Sequence, residues 1–127
     1  MAKQILVIDD EKDMVELTKA ILDHEGYETI TAYGGKEGIV RAMAALPDLV
    51  ITDIMMPEVD GFKVAEELRK KPRTFSIPII MLTSKSGEED HMKGLSLNVF
   101  AYLDKPCDVD ELREVVKRAL SSKSKPV

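Results

Sequence analysis

Five short apolar runs alternate along the chain with stretches in which apolar residues recur at helical spacing. Ile5-Leu6-Val7-Ile8 is the first run, continuous and rich in β-branched residues, and it predicts a buried strand. Met14, Thr18, Ile21 and Leu22 then share one face of a predicted helix, which Gly26 is placed to close. Glu28 to Ala32 alternates more weakly and predicts a second strand. A helix carrying Ile39, Val40, Met43 and Leu46 follows and stops at Pro47. Leu49-Val50-Ile51 is the third strand and leads directly into Asp53. A turn containing Pro57, Asp60 and Gly61 precedes a helix with Val64, Ala65 and Leu68 inward. Ile79-Ile80-Met81-Leu82 is the fourth strand. Ser86 and Glu89 have capping-box spacing before a fourth helix, with Met92 and Leu95 as its core contacts. Val99 to Leu103 is the fifth strand. Asp108 and Glu111 repeat the capping spacing before a last helix with Leu112, Val115, Val116, Ala119 and Leu120 facing in.

Continuous apolar strands separated by helices imply an α/β fold, because each crossover returns the chain to the same end of a sheet covered on both faces. The expected architecture is a (βα)5 doubly wound, five-stranded parallel sheet. The 127 residues, 44% hydrophobic and 32% charged, suffice for one core. One domain is expected over residues 1–120, with residues 121–127, rich in Ser and Lys, as a flexible tail or the start of a linker. The net charge of −5, with no Lys/Arg stripe outside that tail, argues against nucleic acid as a partner. No apolar run approaches the ~20 residues that span a bilayer, and Met1 to Asp9 has no signal-peptide pattern. The single cysteine, Cys107, cannot form an internal disulfide and fits a reducing cytoplasm.

In open parallel sheets, ligands sit outside the carboxyl ends of the strands. There the predicted strands end in Asp9-Asp10, Asp53 and Thr83-Ser84, and the fifth stops shortly before Lys105-Pro106. Three carboxylates, a hydroxyl and an ammonium would meet on one rim. Carboxylates gathered this closely repel one another, so they call for Lys105, a proton or a cation. Oxygen-only ligands with room for water suit Mg²⁺ better than zinc. Asp9-Asp10 alone would equally serve as helix N-caps.

Taken together, Asp9-Asp10-Glu11, Asp53-Ile54-Met55-Met56-Pro57 with Asp60-Gly61, Leu82-Thr83-Ser84, and Tyr102-Leu103-Asp104-Lys105-Pro106 resemble the receiver domain of two-component response regulators, of the chemotaxis-regulator kind. The likeness runs from about Lys3 to about Leu120, with five motifs in order. It implies a flavodoxin-like strand order of 2-1-3-4-5. It also implies that Asp53 accepts a phosphoryl group from a sensor histidine kinase or a histidine phosphotransfer protein. Asp9, Asp10, Asp53 and the backbone carbonyl of Met55 would hold Mg²⁺. Lys105 would pair with the phosphoryl oxygens, while Thr83 and Tyr102 would act as switch residues. The face made by the fourth helix, fifth strand and fifth helix would meet a downstream protein or output domain, or dimerise on phosphorylation.

Some positions depart from the family pattern. Asn98-Val99 stands where Gly-Ala is usual, and Asn tolerates the left-handed turn needed there. Phe100 either fills the end of the core or extends an apolar patch beside Tyr102. Met55 and Lys85 stand two residues past Asp53 and Thr83, where relatives tune loss of the phosphoryl group. His24 and His91 are expected at the surface and Cys107 as a small buried apolar group. A turnover phosphatase of the haloacid-dehalogenase type would need a second Asp at the Met55 position, and no nucleotide-binding glycine motif is present. The expected function is therefore a phosphorylation-dependent switch rather than a turnover enzyme. It could stand alone or control a DNA-binding or enzymatic output domain in a longer regulator.

Overall fold

The computed structural model describes residues 2–84, 97–105 and 108–124. Five parallel strands, β1 (Gln4–Ile8), β2 (Glu28–Ala32), β3 (Leu49–Asp53), β4 (Ile79–Thr83) and β5 (Ala101–Asp104), form one sheet in the order β2-β1-β3-β4-β5. The described helices are α1 (Lys12–His24), α2 (Gly35–Ala45), α3 (Gly61–Arg69) and a C-terminal helix, Val109–Ser124. Predicted features at Lys85, Ser86, Glu89, His91, Met92, Leu95, Pro106 and Cys107 lie outside the described residues.

Strand alternation splits the core between the two sheet faces. Ile5, Val7, Ile51, Leu82 and Leu103 pack with Leu22 of α1 and with Leu112, Val116 and Ala119 of the C-terminal helix. Leu6, Ile8, Val50, Ile79 and Met81 pack on the other face with Ala42 of α2 and with Val64, Ala65 and Leu68 of α3. The inward residues expected for α3 and the C-terminal helix are all buried. The C-terminal helix stays helical through Ser124, four residues into the stretch expected to be a tail.

Two helices settle differently from their hydrophobic pattern. The buried stripe of α1 is Val15, Thr18 and Leu22, with Met14 only half-buried beside the strand-end rim. In α2 the buried residues are Gly35, Gly38 and Ala42, while Val40 is exposed. The cause is close approach: a Cβ on Gly38 would stand 2.4 Å from Ile8 Cδ1, and one on Gly35 2.2 Å from the Val59 carbonyl oxygen. Only small residues fit that contact, so Ile39 and Met43 move to its half-buried flanks.

Chain reversals follow local chemistry. Gly26, at φ 91°, ends α1 in a Schellman motif, with Gly26 N–H donating to the Asp23 carbonyl and Tyr27 N–H to that of Leu22. Asp60 caps α3 by accepting from Lys63 N–H at 2.8 Å. Asn98 takes the left-handed conformation expected of it, φ 57°, and β5 starts at Ala101, two residues later than the apolar run suggested.

Arg69, at the end of α3, ties that turn to its neighbours. Its guanidinium donates to the carbonyls of Phe75 (2.7 Å), Ile77 (2.8 Å), Leu97 (2.9 Å) and Asn98 (3.2 Å). These bonds satisfy loop carbonyls that neither the helix nor the sheet can reach. Arg69→Met is expected to cost about 2–3 kcal/mol of stability, from several charge-assisted bonds lost at once. A lower urea midpoint at unchanged slope is the expected reading; an unchanged midpoint would mean that water replaces the guanidinium without loss.

Candidate functional site

Register brings the strand ends to one rim. Ile8 lies beside Thr52, Asp53 beside Leu82, and Thr83 beside Asp104. Backbone bonds then fix the residues just past those ends: Asp9 N–H donates to the Ala32 carbonyl at 3.1 Å, Ile54 N–H to that of Leu82 at 3.1 Å, and Lys105 N–H to that of Thr83 at 2.8 Å. The rim lies where the chain, having placed β2 beside β1, crosses to the other side of β1 to lay down β3, the switch point of a doubly wound sheet.

Alternation sorts the side chains on this rim. Asp9 continues the row of Ile5 and Val7, Asp53 that of Leu49 and Ile51, and Lys105 that of Leu103, so all three share the α1 side. Thr83 continues the row of Ile79 and Met81 on the other face, fully buried at the end of β4. Tyr102, beside Met81 in register, is half-buried against that second core. The acid cluster therefore lies on one face of the sheet, and Thr83 and Tyr102 lie on the other.

Asp9 is only 2% exposed and Asp53 5%, while Asp10 is exposed; one carboxylate oxygen from each lies within 4.8 Å of the other two. The Lys105 ammonium reaches Asp9 Oδ2 at 2.9 Å, Asp53 Oδ2 at 3.3 Å and Glu11 Oε1 at 3.4 Å. Burial, and then the charge of Asp9, push the Asp53 carboxyl above its ordinary range against the pull of Lys105. For Lys105, burial favours the neutral form, but the hydrogen bond to Asp9 and the charge of Asp53 outweigh it, and its pKa rises. Among the described residues the site thus holds more negative charge than the Lys105 ammonium balances.

A cleft of about 330 Å³ opens over Asp53, lined by Glu11, Met14, Asp53, Met55, Ser84 and Lys105. Met55 stands at its mouth, 72% exposed. Gly61 packs closely against the end of β3: its N–H donates to the Ile54 carbonyl at 2.9 Å, and a Cβ there would fall 2.4 Å from the Asp53 carbonyl oxygen. The carboxylate trio is an oxygen-only donor set with excess negative charge, which fits a hard divalent cation such as Mg²⁺.

Of the residues singled out in the sequence, the structure brings Asp9, Asp10, Asp53 and Lys105 together, sets Thr83 at the end of β4 on the other face, and has Met55 lining the cleft. Glu11 and Met14 were given no place in the site beforehand. Met14 belongs to a helical stripe that also serves the core. Glu11 is the N-cap of α1, where strand alternation no longer says which way a side chain points. Its adjacency to Asp9-Asp10 was the available signal.

The response regulator receiver domain model matches residues 5–117. The alkaline phosphatase synthesis transcriptional regulatory protein PhoP of Bacillus subtilis is 41% identical over 120 residues, covering 94% of this chain and 49% of that protein. The chain therefore spans about half the length of this curated relative. Among solved structures, the chemotaxis protein CheY4 of Vibrio cholerae is 28% identical at a TM-score of 0.90, covering 94% of this chain and 99% of that one. The receiver domain of a signal transduction histidine kinase from Syntrophus aciditrophicus is 33% identical at a TM-score of 0.89, covering 99% and 96%. Sequence, strand order and the acidic strand-end cleft agree: this chain belongs to the response regulator receiver domain family of two-component signal transduction.

Proposed function

We propose that this domain is a phosphorylation-dependent switch whose acceptor is Asp53. The observation that carries the proposal is a nearly buried carboxylate at a strand end, facing an open cleft, with Lys105 on one side and Asp9 and Asp10 on the other. An ionised Asp53 oxygen attacks the phosphorus of a phosphohistidine on a sensor kinase or phosphotransfer protein. The P–N bond breaks, and its electron pair leaves on the imidazole, which takes a proton from water. Water later hydrolyses the aspartyl phosphate to inorganic phosphate and restores the carboxylate. Asp9, Asp10, Asp53 and the Met55 carbonyl would hold Mg²⁺, which when bound supplies charge neutralisation at the phosphoryl oxygens.

Lys105 adds a directed positive charge that is already positioned before transfer. The phosphoryl group carries about −1.5 to −2 charges in place of the carboxylate's single charge and adds acceptor oxygens at the rim, where the Thr83 hydroxyl is a donor at the end of β4. A Thr83 shift toward it opens space on the face that holds Tyr102, and Tyr102 turns inward. The surface on the side of β5 and the C-terminal helix carries the signal to a partner. The chemistry is a transfer to the protein itself, reversed by hydrolysis, and the switch is expected to act in the cytoplasm. The test is incubation with acetyl phosphate, with and without chelation of Mg²⁺, followed by intact mass and mapping of the adduct. The expected product is one Mg²⁺-dependent phosphoryl group on Asp53; no adduct, or one elsewhere, would overturn the proposal.

The half-length match favours one refinement. The B. subtilis relative is named as a transcriptional regulator, and this chain corresponds to about half of it, so the receiver is proposed to control an attached output domain.

Met55 gives a prediction about signal lifetime. Its exposed side chain lines the cleft beside Asp53, where it stands to hinder water approaching an Asp53 phosphate. Met55→Asn is expected to speed phosphoryl loss by roughly 3–10-fold, a barrier change of about 1 kcal/mol. An unchanged decay of the mass adduct would remove Met55 from that role.

A further inference from the structure

The contacts of Lys105 define a competition that its placement in the site does not by itself require. An ammonium has three donors, and here three carboxylates lie within 3.4 Å of it: Asp9, Asp53 and Glu11. A phosphoryl group on Asp53 takes over the donor that the Asp53 carboxylate held, and its other acceptor oxygens gain a second donor from Lys105 only if Asp9 or Glu11 lets go. Asp9 is nearly buried and also holds Glu11 N–H at 3.0 Å, so it is fixed in place and would be left uncompensated. Asp53 is the acceptor itself. Glu11 has the longest contact, and its side chain is 65% exposed, so its carboxylate can return to water at little cost.

We propose that Glu11 is a positioning residue that occupies Lys105 in the resting domain and must release it when the phosphoryl group arrives, setting a threshold for activation. This rests on Asp53 being the acceptor, as proposed above. Glu11 is suited to the part because it is separable from the fold. It is the N-cap of α1, yet its side chain makes no capping bond, so Gln can replace it without disturbing the helix start. It also lines the same cleft as Asp53 and Lys105, so its carboxylate and the incoming anion share one space. The contention needs no movement of the backbone, only exchange of one exposed carboxylate for water.

The test uses beryllofluoride, a phosphoryl mimic that the Asp53 oxygen binds through an electron pair given to beryllium in place of a bound water. Its affinity is measured by ¹⁹F NMR with Mg²⁺ present, for the parent, Glu11→Gln, Lys105→Ala and the double variant. Glu11→Gln is expected to bind about 2–5-fold more tightly at low salt, the span of one exposed ion pair. That gain should shrink at high salt, because the contact is exposed to screening ions. It should vanish in the Lys105→Ala background. Equal affinity of Glu11→Gln and the parent would overturn the proposal. So would an undiminished gain without Lys105, which would make Glu11 a source of general repulsion. A parent protein that binds no beryllofluoride would instead overturn the reading of Asp53, and this inference with it.

Discussion

Asp53→Asn is expected to take up no phosphoryl group from acetyl phosphate and, without Mg²⁺, to unfold at a higher denaturant concentration than the parent. The first effect follows from the chemistry. A carboxamide oxygen carries no full negative charge and forms no acyl phosphate, so the adduct should disappear from the intact mass. The second follows from the setting. Asp9 and Asp53 are both nearly buried on one rim, and the Lys105 ammonium that pairs with both is shared with Glu11. Burial and the charge of Asp9 hold the Asp53 carboxyl above its ordinary pKa. A folded-state pKa above the unfolded value means that stability is present in acid and lost as pH rises through the folded pKa. Asn removes that loss while keeping the shape of the side chain. The variant should therefore match the parent in acid and exceed it by about 1 kcal/mol near neutrality, the scale of one relieved like-charge contact at a partly compensated site. Added Mg²⁺ should narrow the gap by stabilising the parent more. Urea titrations at acidic and neutral pH would reveal this, and a variant no more stable at neutral pH would refute the charge account while leaving the adduct prediction standing.

Gly61→Ala is expected to cost about 3–4 kcal/mol and also to lower phosphoryl loading, because overpacking here meets backbone rather than a yielding side chain. The added Cβ would stand 2.4 Å from the Asp53 carbonyl oxygen and 3.0 Å from Ile54 Cα. Neither can rotate away; the end of β3 or the start of α3 must move. Ile54 is held by its N–H bond to the Leu82 carbonyl, and Gly61 N–H is bound to the Ile54 carbonyl, so displacement breaks the ladder that aims Asp53. The loss of stability is read from the urea midpoint and the loss of loading from the fraction of adduct at fixed acetyl phosphate. A stable variant with normal loading would mean that α3 can shift outward freely. The two variants separate the roles at this strand end: Asp53→Asn removes the chemistry and stabilises the fold, whereas Gly61→Ala keeps the chemistry and removes its support.

The hydrophobic pattern predicted all five strands: β1, β3 and β4, inside the sheet, are nearly continuous apolar runs because both of their faces are covered, whereas the edge strand β2 showed only as a weaker alternation. It also identified the inward faces of α3 and the C-terminal helix, where the packing distance leaves room for full-sized side chains. It misread α2 because burial there is decided by contact distance: glycines at positions 35 and 38 let the helix close on Ile8 and Val59, and the larger apolar residues are displaced. In α1 the inward stripe shifts to Val15, leaving Met14 to line the cleft, a choice between neighbouring apolar positions that helical periodicity alone does not make.

Asp9, Asp10, Asp53, Thr83 and Lys105 were legible as candidates because each stands at or just past the carboxyl end of an apolar run, and a parallel sheet brings those ends together wherever its strands lie. That much the linear chain determined. Strand register and the turns that follow decided the rest. They placed Thr83 and Tyr102 on the face opposite the acids, set Lys105 within 3.4 Å of three carboxylates, and turned Glu11 toward it. The physical reason is one of range. Which residues reach a strand end is encoded locally, by hydrophobic run length, whereas which charges touch depends on side-chain direction past the last ladder bond, where the period of two gives way to loop geometry.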